Sequence, residues 1–88
     1  MDAKNAPIPG TPGAPYFDGY NVSKFVRAME ALFRRALVTR DEEKVEYWRE
    51  YCSEKVGMLV EDMDEYRELS YTRLVRKIKV EYANQDKE

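Results

Sequence analysis

The 88-residue sequence contains no histidine and a single cysteine, Cys52. These shortages exclude Ser-His-Asp triads, Cys-His dyads, zinc sites built from cysteine and histidine, and a disulfide bond within the chain. The four glycines stand singly, so the sequence also lacks a glycine-rich phosphate-binding loop. We therefore expect no enzymatic activity, no cofactor and no metal ion.

Long apolar runs are absent as well. No stretch approaches the roughly 18 apolar residues that a membrane-spanning helix needs. The first four residues lead into prolines rather than into the apolar core of a secretory signal. We therefore expect an intracellular, cytoplasmic protein that does not associate with membranes.

The charge balance bears on nucleic-acid binding. The chain has 15 basic and 17 acidic side chains, a formal net charge of −2 and a pI near 5.3. A domain that binds phosphate backbones normally carries a positive excess. We therefore do not expect nucleic acid to be a partner of this chain alone.

All four prolines lie in the first 15 residues, together with Gly10 and Gly13. Proline removes backbone hydrogen-bond donors, so residues 1–15 are predicted to form an extended, mobile, disordered arm. Residues 9–12 and 12–15 each have the PxxP spacing that SH3-type domains bind, but a linker or arm is the favoured interpretation. Polar residues 84–88 predict a frayed tail.

Residues 16–83 are predicted to form an all-α domain, a small bundle of about four helices. Asn21 is the predicted N-cap of the first helix. Apolar residues then recur every three or four positions on one face of this helix: Val22, Phe25, Val26, Met29, Leu32, Phe33, Ala36 and Leu37. This spacing is typical of an amphipathic helix that packs on a core.

Three further helices follow. The second is predicted to begin at a capping box formed by Thr39 and Glu42, or at Asp41. Ser53 and Ser70 are the predicted caps of the third and fourth helices. The predicted inward residues of the three helices are Val45, Trp48, Tyr51 and Cys52; Val56, Leu59, Val60 and Met63; and Tyr71, Leu74, Val75, Ile78 and Tyr82. Gly57 and Met58 are predicted to face outward, and Cys52 to be a small buried apolar residue rather than a reactive thiol.

Several phrases of the sequence occur in the same order as in a known family. They are YFDGYNV at 16–22, FVRAMEALF at 25–33, DEEKV at 41–45 followed by Tyr51 and Cys52, and Ser70, Tyr71, Leu74, Ile78, Glu81 and Tyr82 near the end. Over residues 15–86 the chain thus resembles the Gag proteins of Ty3/Gypsy-type retrotransposons, especially fungal ones. It has no C-x2-C-x4-H-x4-C knuckle for RNA packaging and no second capsid lobe.

The resemblance implies the amino-terminal lobe of a capsid-like domain, a helical bundle whose copies associate into rings and shells. It implies either a retrotransposon particle protein or a host-adopted descendant, with homo-oligomerisation as the main interaction. Because these 88 residues are too few to include a second lobe, the resemblance does not imply that they form shells by themselves. The alternative function is a host-adopted adaptor that binds an extended peptide of a partner protein in an apolar groove.

Two surfaces are candidates for these interactions. The first is the outer face of helix one, where cations surround two alanines: Lys24, Arg27, Ala28, Ala31, Arg34 and Arg35. A solvated face is the simpler interpretation of this charge pattern. Following the family resemblance, we expect it to make weak head-to-tail contacts with helix two of a neighbouring copy, through Glu42, Glu43, Glu46 and Glu50.

The second candidate surface is an aromatic cluster beside the arm, formed by Tyr16, Phe17 and Tyr20. These rings either cap the core or line the groove of the adaptor hypothesis. A third cluster, Arg73, Arg76, Lys77 and Lys79 on the last helix, is interpreted as a solvated face, because no aromatic residue is interleaved there to stack on a base.

Overall fold

The computed structural model describes residues 6–86. Residues 1–5 of the predicted arm and 87–88 of the predicted tail lie outside the described residues. Five α-helices follow one another: α1 Val22–Ala36, α2 Asp41–Glu50, α3 Glu54–Glu61, α4 Asp64–Arg67 and α5 Tyr71–Glu81, with a 3-10 turn at Ala83–Gln85. No β-strand occurs within 6–86, so the all-α class is confirmed, with one more short helix than predicted.

Helix α1 lays its apolar face on the core as predicted, except at its last position. Leu37 has a left-handed backbone with φ 58°, and its side chain is 66% exposed. The Leu37 and Val38 N–H groups both return to the Phe33 carbonyl, which ends the helix. The prediction that Leu37 faces inward is therefore wrong.

Most of the predicted side-chain caps do not form. Asn21 precedes α1 but is left-handed and makes no side-chain cap, and its N–H donates instead to the Gln85 carbonyl at 3.0 Å. Arg40 occupies the N-cap of α2, so the Thr39 and Asp41 predictions are wrong. Ser70 precedes α5 without a side-chain cap, whereas Ser53 accepts from the Val56 N–H at 3.2 Å, as predicted.

Helix α3 is rotated by about one position from the predicted orientation. Val56 and Val60 are buried, but Leu59 is 50% exposed and Gly57 is buried. Arg49 of α2 lies directly over Gly57, where an added Cβ would be 2.4 Å from its Nη1 atom. The guanidinium is held there by Glu61, with Nε to Oε2 at 2.5 Å. A side chain at position 57 would displace this guanidinium, and the prediction that Gly57 faces outward is wrong.

The core gathers aromatic rings from four parts of the chain. Trp48 is fully buried and meets Phe25 edge to face, with ring centroids 4.8 Å apart. Tyr71 packs its ring against those of Phe33 and Trp48 at 5.6 and 6.2 Å. Of the residues predicted to face inward, Leu37 and Leu59 are exposed, and Met63, Val75 and Tyr82 are half-buried. The others are buried, among them Phe25, Met29, Leu32, Phe33, Trp48, Leu74 and Ile78.

The described part of the arm, residues 6–15, contains neither helix nor strand, as predicted. It is turned rather than extended. The Thr11 N–H donates to the Ile8 carbonyl at 3.2 Å, and the Ala14 N–H to the Thr11 carbonyl at 3.1 Å. The Tyr51 hydroxyl donates to the Pro7 carbonyl, which holds the start of this segment near the core.

Candidate interaction groove

A cavity of about 780 Å³ lies between the N-terminal segment and the outer side of α1. Residues 13–16, Asp18 and Tyr20 form one wall, and α1 forms the other. We call this cavity the arm groove. It joins the two surfaces that the sequence predicted separately, because both the tyrosines and part of the basic face line it.

The α1 wall of the arm groove consists of the buried Phe25 and a stripe of four further residues. Lys24, Ala28, Ala31 and Arg35 follow one another at helical spacing and all line the cavity. Ala28 and Ala31 are half-buried, while Lys24 and Arg35 are exposed at the two ends. The stripe therefore presents two small side chains in its middle and a positive charge at each end.

Arg27 and Arg34 do not line the arm groove. They are exposed on the neighbouring flank of α1, which they share with Glu30. Arg34 and Glu30 border a separate cleft of about 390 Å³ next to Lys44 and Tyr71. The predicted basic face is thus two stripes, of which only the one with the alanines faces the cavity.

Phe17 lies in the core rather than in the groove wall. Its side chain is 0% exposed, stacks on Phe25 at 5.1 Å and meets Tyr82 edge to face at 5.2 Å. Its N–H donates to the Tyr51 carbonyl at 3.0 Å, and its carbonyl accepts from the Ser53 N–H at 2.8 Å. For Phe17 the structure therefore agrees with the interpretation that the ring caps the core.

Tyr16 and Tyr20 have the opposite environment. Their side chains are 61% and 58% exposed, and both line the arm groove. Successive residues of an extended segment point to opposite sides, so burying Phe17 turns Tyr16 outward. The Asp18 carboxylate accepts from the Tyr20 N–H at 3.3 Å, which fixes the turn between the two rings.

The acidic residues of α2 form a trio rather than the predicted quartet. Glu43, Glu46 and Glu50 surround Tyr47 at a shallow cleft of about 240 Å³. We call these three glutamates the acidic stripe. Glu42 lies apart from them and pairs with Arg40 at 2.9 Å. Hydrogen bonding to the backbone and then to Arg40 lowers the pKa of the Glu42 carboxyl.

Of the remaining candidate residues, Cys52 is buried, and Arg73 and Lys77 pair with acidic side chains of the same chain. Cys52 is buried, and burial raises the pKa of its thiol to about 12. On α5, Arg73 pairs with Glu68 at 2.7 Å and Lys77 approaches Glu81 at 3.8 Å. Among residues 6–86, no three metal-binding side chains cluster, and no helix is long and apolar enough to cross a bilayer.

Sequence reasoning missed the contribution of residues 13–15 to the arm groove. The signal was present in the two Pro-Gly pairs, 9–10 and 12–13, because proline followed by glycine favours type II turns. Gly10 and Gly13 have φ of 87° and 86°, as such turns require. The two turns fold the arm back beside α1.

Comparisons with known proteins complete this description. A scan against protein-family models, a search of curated proteins and a search of solved structures each returned no significant match.

Proposed function

We propose that this domain is a Gag-like capsid building block that acts by self-association, in a retrotransposon particle or in a host-adopted descendant. Its activity is binding rather than catalysis, in the cytoplasm, and its partner is another copy of the chain rather than nucleic acid or a membrane. The resemblance over residues 15–86 and the all-α fold support this proposal. The observation that carries it is the stripe of α1 in the arm groove, with Ala28 and Ala31 between Lys24 and Arg35.

The acidic stripe on α2 is the complement of this surface. At about 1.5 Å of rise per residue, Lys24 and Arg35 are roughly 16 Å apart along α1, and Glu43 and Glu50 roughly 10 Å apart along α2. The acidic stripe therefore fits between the two cations. Because the two surfaces are different parts of one chain, the contact is head-to-tail, which produces rings or filaments rather than closed dimers.

This contact is expected to be weak between isolated domains. Exposed ion pairs each contribute about 0 to 1 kcal/mol and are screened by salt. A few such pairs give an affinity on the order of millimolar after the cost of association. The contact becomes effective when many copies are tethered together, as in a particle.

Sedimentation over a wide range of concentrations tests this proposal. We expect the apparent mass to rise with concentration at low salt and to fall in about 0.5 M salt. The double variant Lys24→Glu and Arg35→Glu should stay monomeric, and combining it with Glu43→Lys and Glu50→Lys should partly restore association.

Two further variants locate the contact. Reversal at Arg27 and Arg34, on the adjacent flank of α1, should weaken association less than reversal in the groove. Arg76→Glu with Lys79→Glu, two exposed cations of α5, is the matched control and should leave association unchanged. Normal association of the Lys24 and Arg35 variant, in a chain shown to be folded, would contradict the proposal.

The alternative function is an adaptor that binds an extended partner peptide. The volume of the arm groove supports it, since about 780 Å³ lies within the usual range of ligand sites, roughly 300 to 1,000 Å³. The exposed rings of Tyr16 and Tyr20 at the rim are suitable contacts for such a peptide. An adaptor would remain monomeric at all concentrations and show partner-dependent shifts at these two residues.

A further inference from the structure

Thr11 lies at the junction of the two Pro-Gly turns of the arm. Its N–H and its hydroxyl both donate to the Ile8 carbonyl, at 3.2 and 2.6 Å, and its own carbonyl accepts from Ala14. Thr11 and both residues that flank it are exposed. The hydroxyl is therefore presented on a segment that has neither helix nor strand to hold it.

Thr11 differs from the other serines and threonines of the sequence in the residue that follows it. Of the three serines and three threonines in the sequence, Thr11 alone is followed by proline. Ser23 and Thr72 lie within helices, and Ser53 caps α3. Protein kinases bind their substrates as extended chain, which helical backbone cannot supply without unfolding.

We propose that Thr11 is a phosphorylation site for a proline-directed serine/threonine kinase, and that the phosphate closes the arm over α1 by pairing with Lys24 and Arg35. In the transfer, the Thr11 Oγ attacks the γ-phosphorus of Mg-ATP, and the bond from this phosphorus to the β-γ bridging oxygen breaks. ADP leaves, and the hydroxyl proton passes to the base of the kinase.

The geometry of the second turn brings the modified residue to the arm groove. Thr11 and Ala14 are the ends of one hydrogen-bonded turn, so their Cα atoms lie within about 7 Å of each other. Ala14 lines the groove together with Lys24 and Arg35. A phosphate at Thr11 is therefore added about one turn from the arm wall, which faces the two cations of α1 across the groove.

Charge and hydrogen bonding both favour this closure. A phosphothreonine carries about −1.5 to −2 charges at neutral pH and forms strong hydrogen bonds with arginine and lysine. The modified oxygen can no longer donate to the Ile8 carbonyl, so the side chain is released from the first turn. Asp18 is the acidic side chain on the groove wall, and it already accepts from the Tyr20 N–H.

Closure would regulate the proposed self-association. The phosphate occupies the same cations that the acidic stripe of a neighbouring copy requires, so modified chains should associate about five- to tenfold more weakly at low salt. This consequence rests on the proposed function. The modification and the closure of the arm do not.

The test uses the full chain, a proline-directed kinase and Mg-ATP. Intact mass and fragmentation should show one phosphate, located on Thr11, and none on the Thr11→Val variant. Amide NMR of the phosphorylated chain should show shifts at Lys24 and Arg35 that disappear in about 0.5 M salt. The shifts should be lost with Lys24→Gln and Arg35→Gln, and retained in the matched control Arg76→Gln with Lys79→Gln.

The outcomes separate this inference from the proposed function. A chain that the kinase does not phosphorylate on Thr11, or whose phosphorylation leaves the α1 amides unchanged, overturns the inference even if unmodified copies associate. A phosphorylated arm that closes on α1, in a chain whose unmodified form never associates, supports the inference and overturns self-association as the function.

Discussion

Replacing Phe17 and Tyr16 one at a time tests which aromatic residue at the start of the domain belongs to the core and which belongs to the arm groove. The sequence offers three aromatic residues there, and the structure buries only Phe17, at 0% exposure. Phe17→Ala should therefore destabilise the fold strongly, whereas Tyr16→Ala, one residue earlier and 61% exposed, should not. The two variants remove similar rings from adjacent positions, so each is the control for the other.

The magnitude follows from what the ring contacts. Truncating a buried phenylalanine to alanine costs about 3 to 5 kcal/mol. In Phe17 this loss includes the two aromatic pairs with Phe25 and Tyr82, each about 0.5 to 1.5 kcal/mol. A chain of this length has a free energy of unfolding of roughly 4 to 13 kcal/mol. The Phe17 variant thus loses a large share, while Tyr16→Ala should stay within about 0.5 kcal/mol.

Urea unfolding followed by circular dichroism measures both variants. The slope of the free energy with urea should be unchanged, so that the midpoint reports stability. Phe17→Leu keeps most of the volume but loses both aromatic pairs, so it should cost less than Phe17→Ala and more than Tyr16→Ala. Equal midpoints for Phe17→Ala and Tyr16→Ala would refute the assignment of Phe17 to the core.

Three further predictions concern the core and the titratable groups. Trp48→Ala and Phe33→Ala should each lower the free energy of unfolding by about 3 to 5 kcal/mol, and unchanged thermal melting of either would show that the wrong helix face was assigned. Burial raises the pKa of Cys52 and of Tyr71 to about 12 each, so the unfolded chain releases these protons first. The stability that these two groups contribute should therefore be fully present below pH about 8.5 and be lost as pH rises toward about 12. Urea midpoints that stay constant between these two pH values would contradict this. Chelators should leave folding unchanged, because the sequence has no histidine and only one thiol; stoichiometric zinc in dialysed protein, measured by elemental analysis, would overturn this.

Sequence periodicity succeeds where a helix is long and fails where it is short. In the 15 residues of α1, an apolar stripe repeats over four turns, and its interior positions are all buried. Helix α3 has only eight residues, so a rotation by one position leaves the pattern almost equally good. In the observed orientation Arg49 of α2 lies over Gly57 and pairs with Glu61. That contact joins two helices and leaves no trace in the local pattern.

Helix caps show the same limit. A cap prediction assumes that the side chain of the capping residue bonds to its own helix. At Asn21 the backbone instead adopts a left-handed conformation and bonds to Gln85, 64 positions away. Ser53 fulfils its prediction because Phe17 accepts its N–H and places the hydroxyl at the start of α3. The success of a cap rule therefore depends on tertiary contacts that the rule does not contain.

The candidate site was predictable in its parts but not in its assembly. The sequence placed Lys24, Arg27, Ala28, Ala31, Arg34 and Arg35 on one face of α1, and four of these six residues, Lys24, Ala28, Ala31 and Arg35, line the arm groove. The arm forms the facing wall because of its two local turns and because Phe17 is anchored in the core. Only the anchorage depends on residues far apart in the sequence, Tyr51 and Ser53. The division of the basic face into two stripes becomes visible only when this wall is present.

Residues 6–15 of the arm have weaker contacts with the core than Phe17, which follows them. Phe17 is fixed by two backbone hydrogen bonds and a fully buried ring. Before it, the contacts of residues 6–15 with the core include the bond from Tyr51 to Pro7 and the packing of the half-buried Ala6 and Ala14. A single hydrogen bond contributes about 0.5 to 1.5 kcal/mol, against about 3 to 5 for the anchor ring. We therefore expect residues 6–15 to separate from α1 at a lower free-energy cost than Phe17 would leave the core. Because the arm forms one wall of the groove, anything that changes its position, whether a neighbouring copy, a peptide or a phosphate on Thr11, acts on the same stripe of α1.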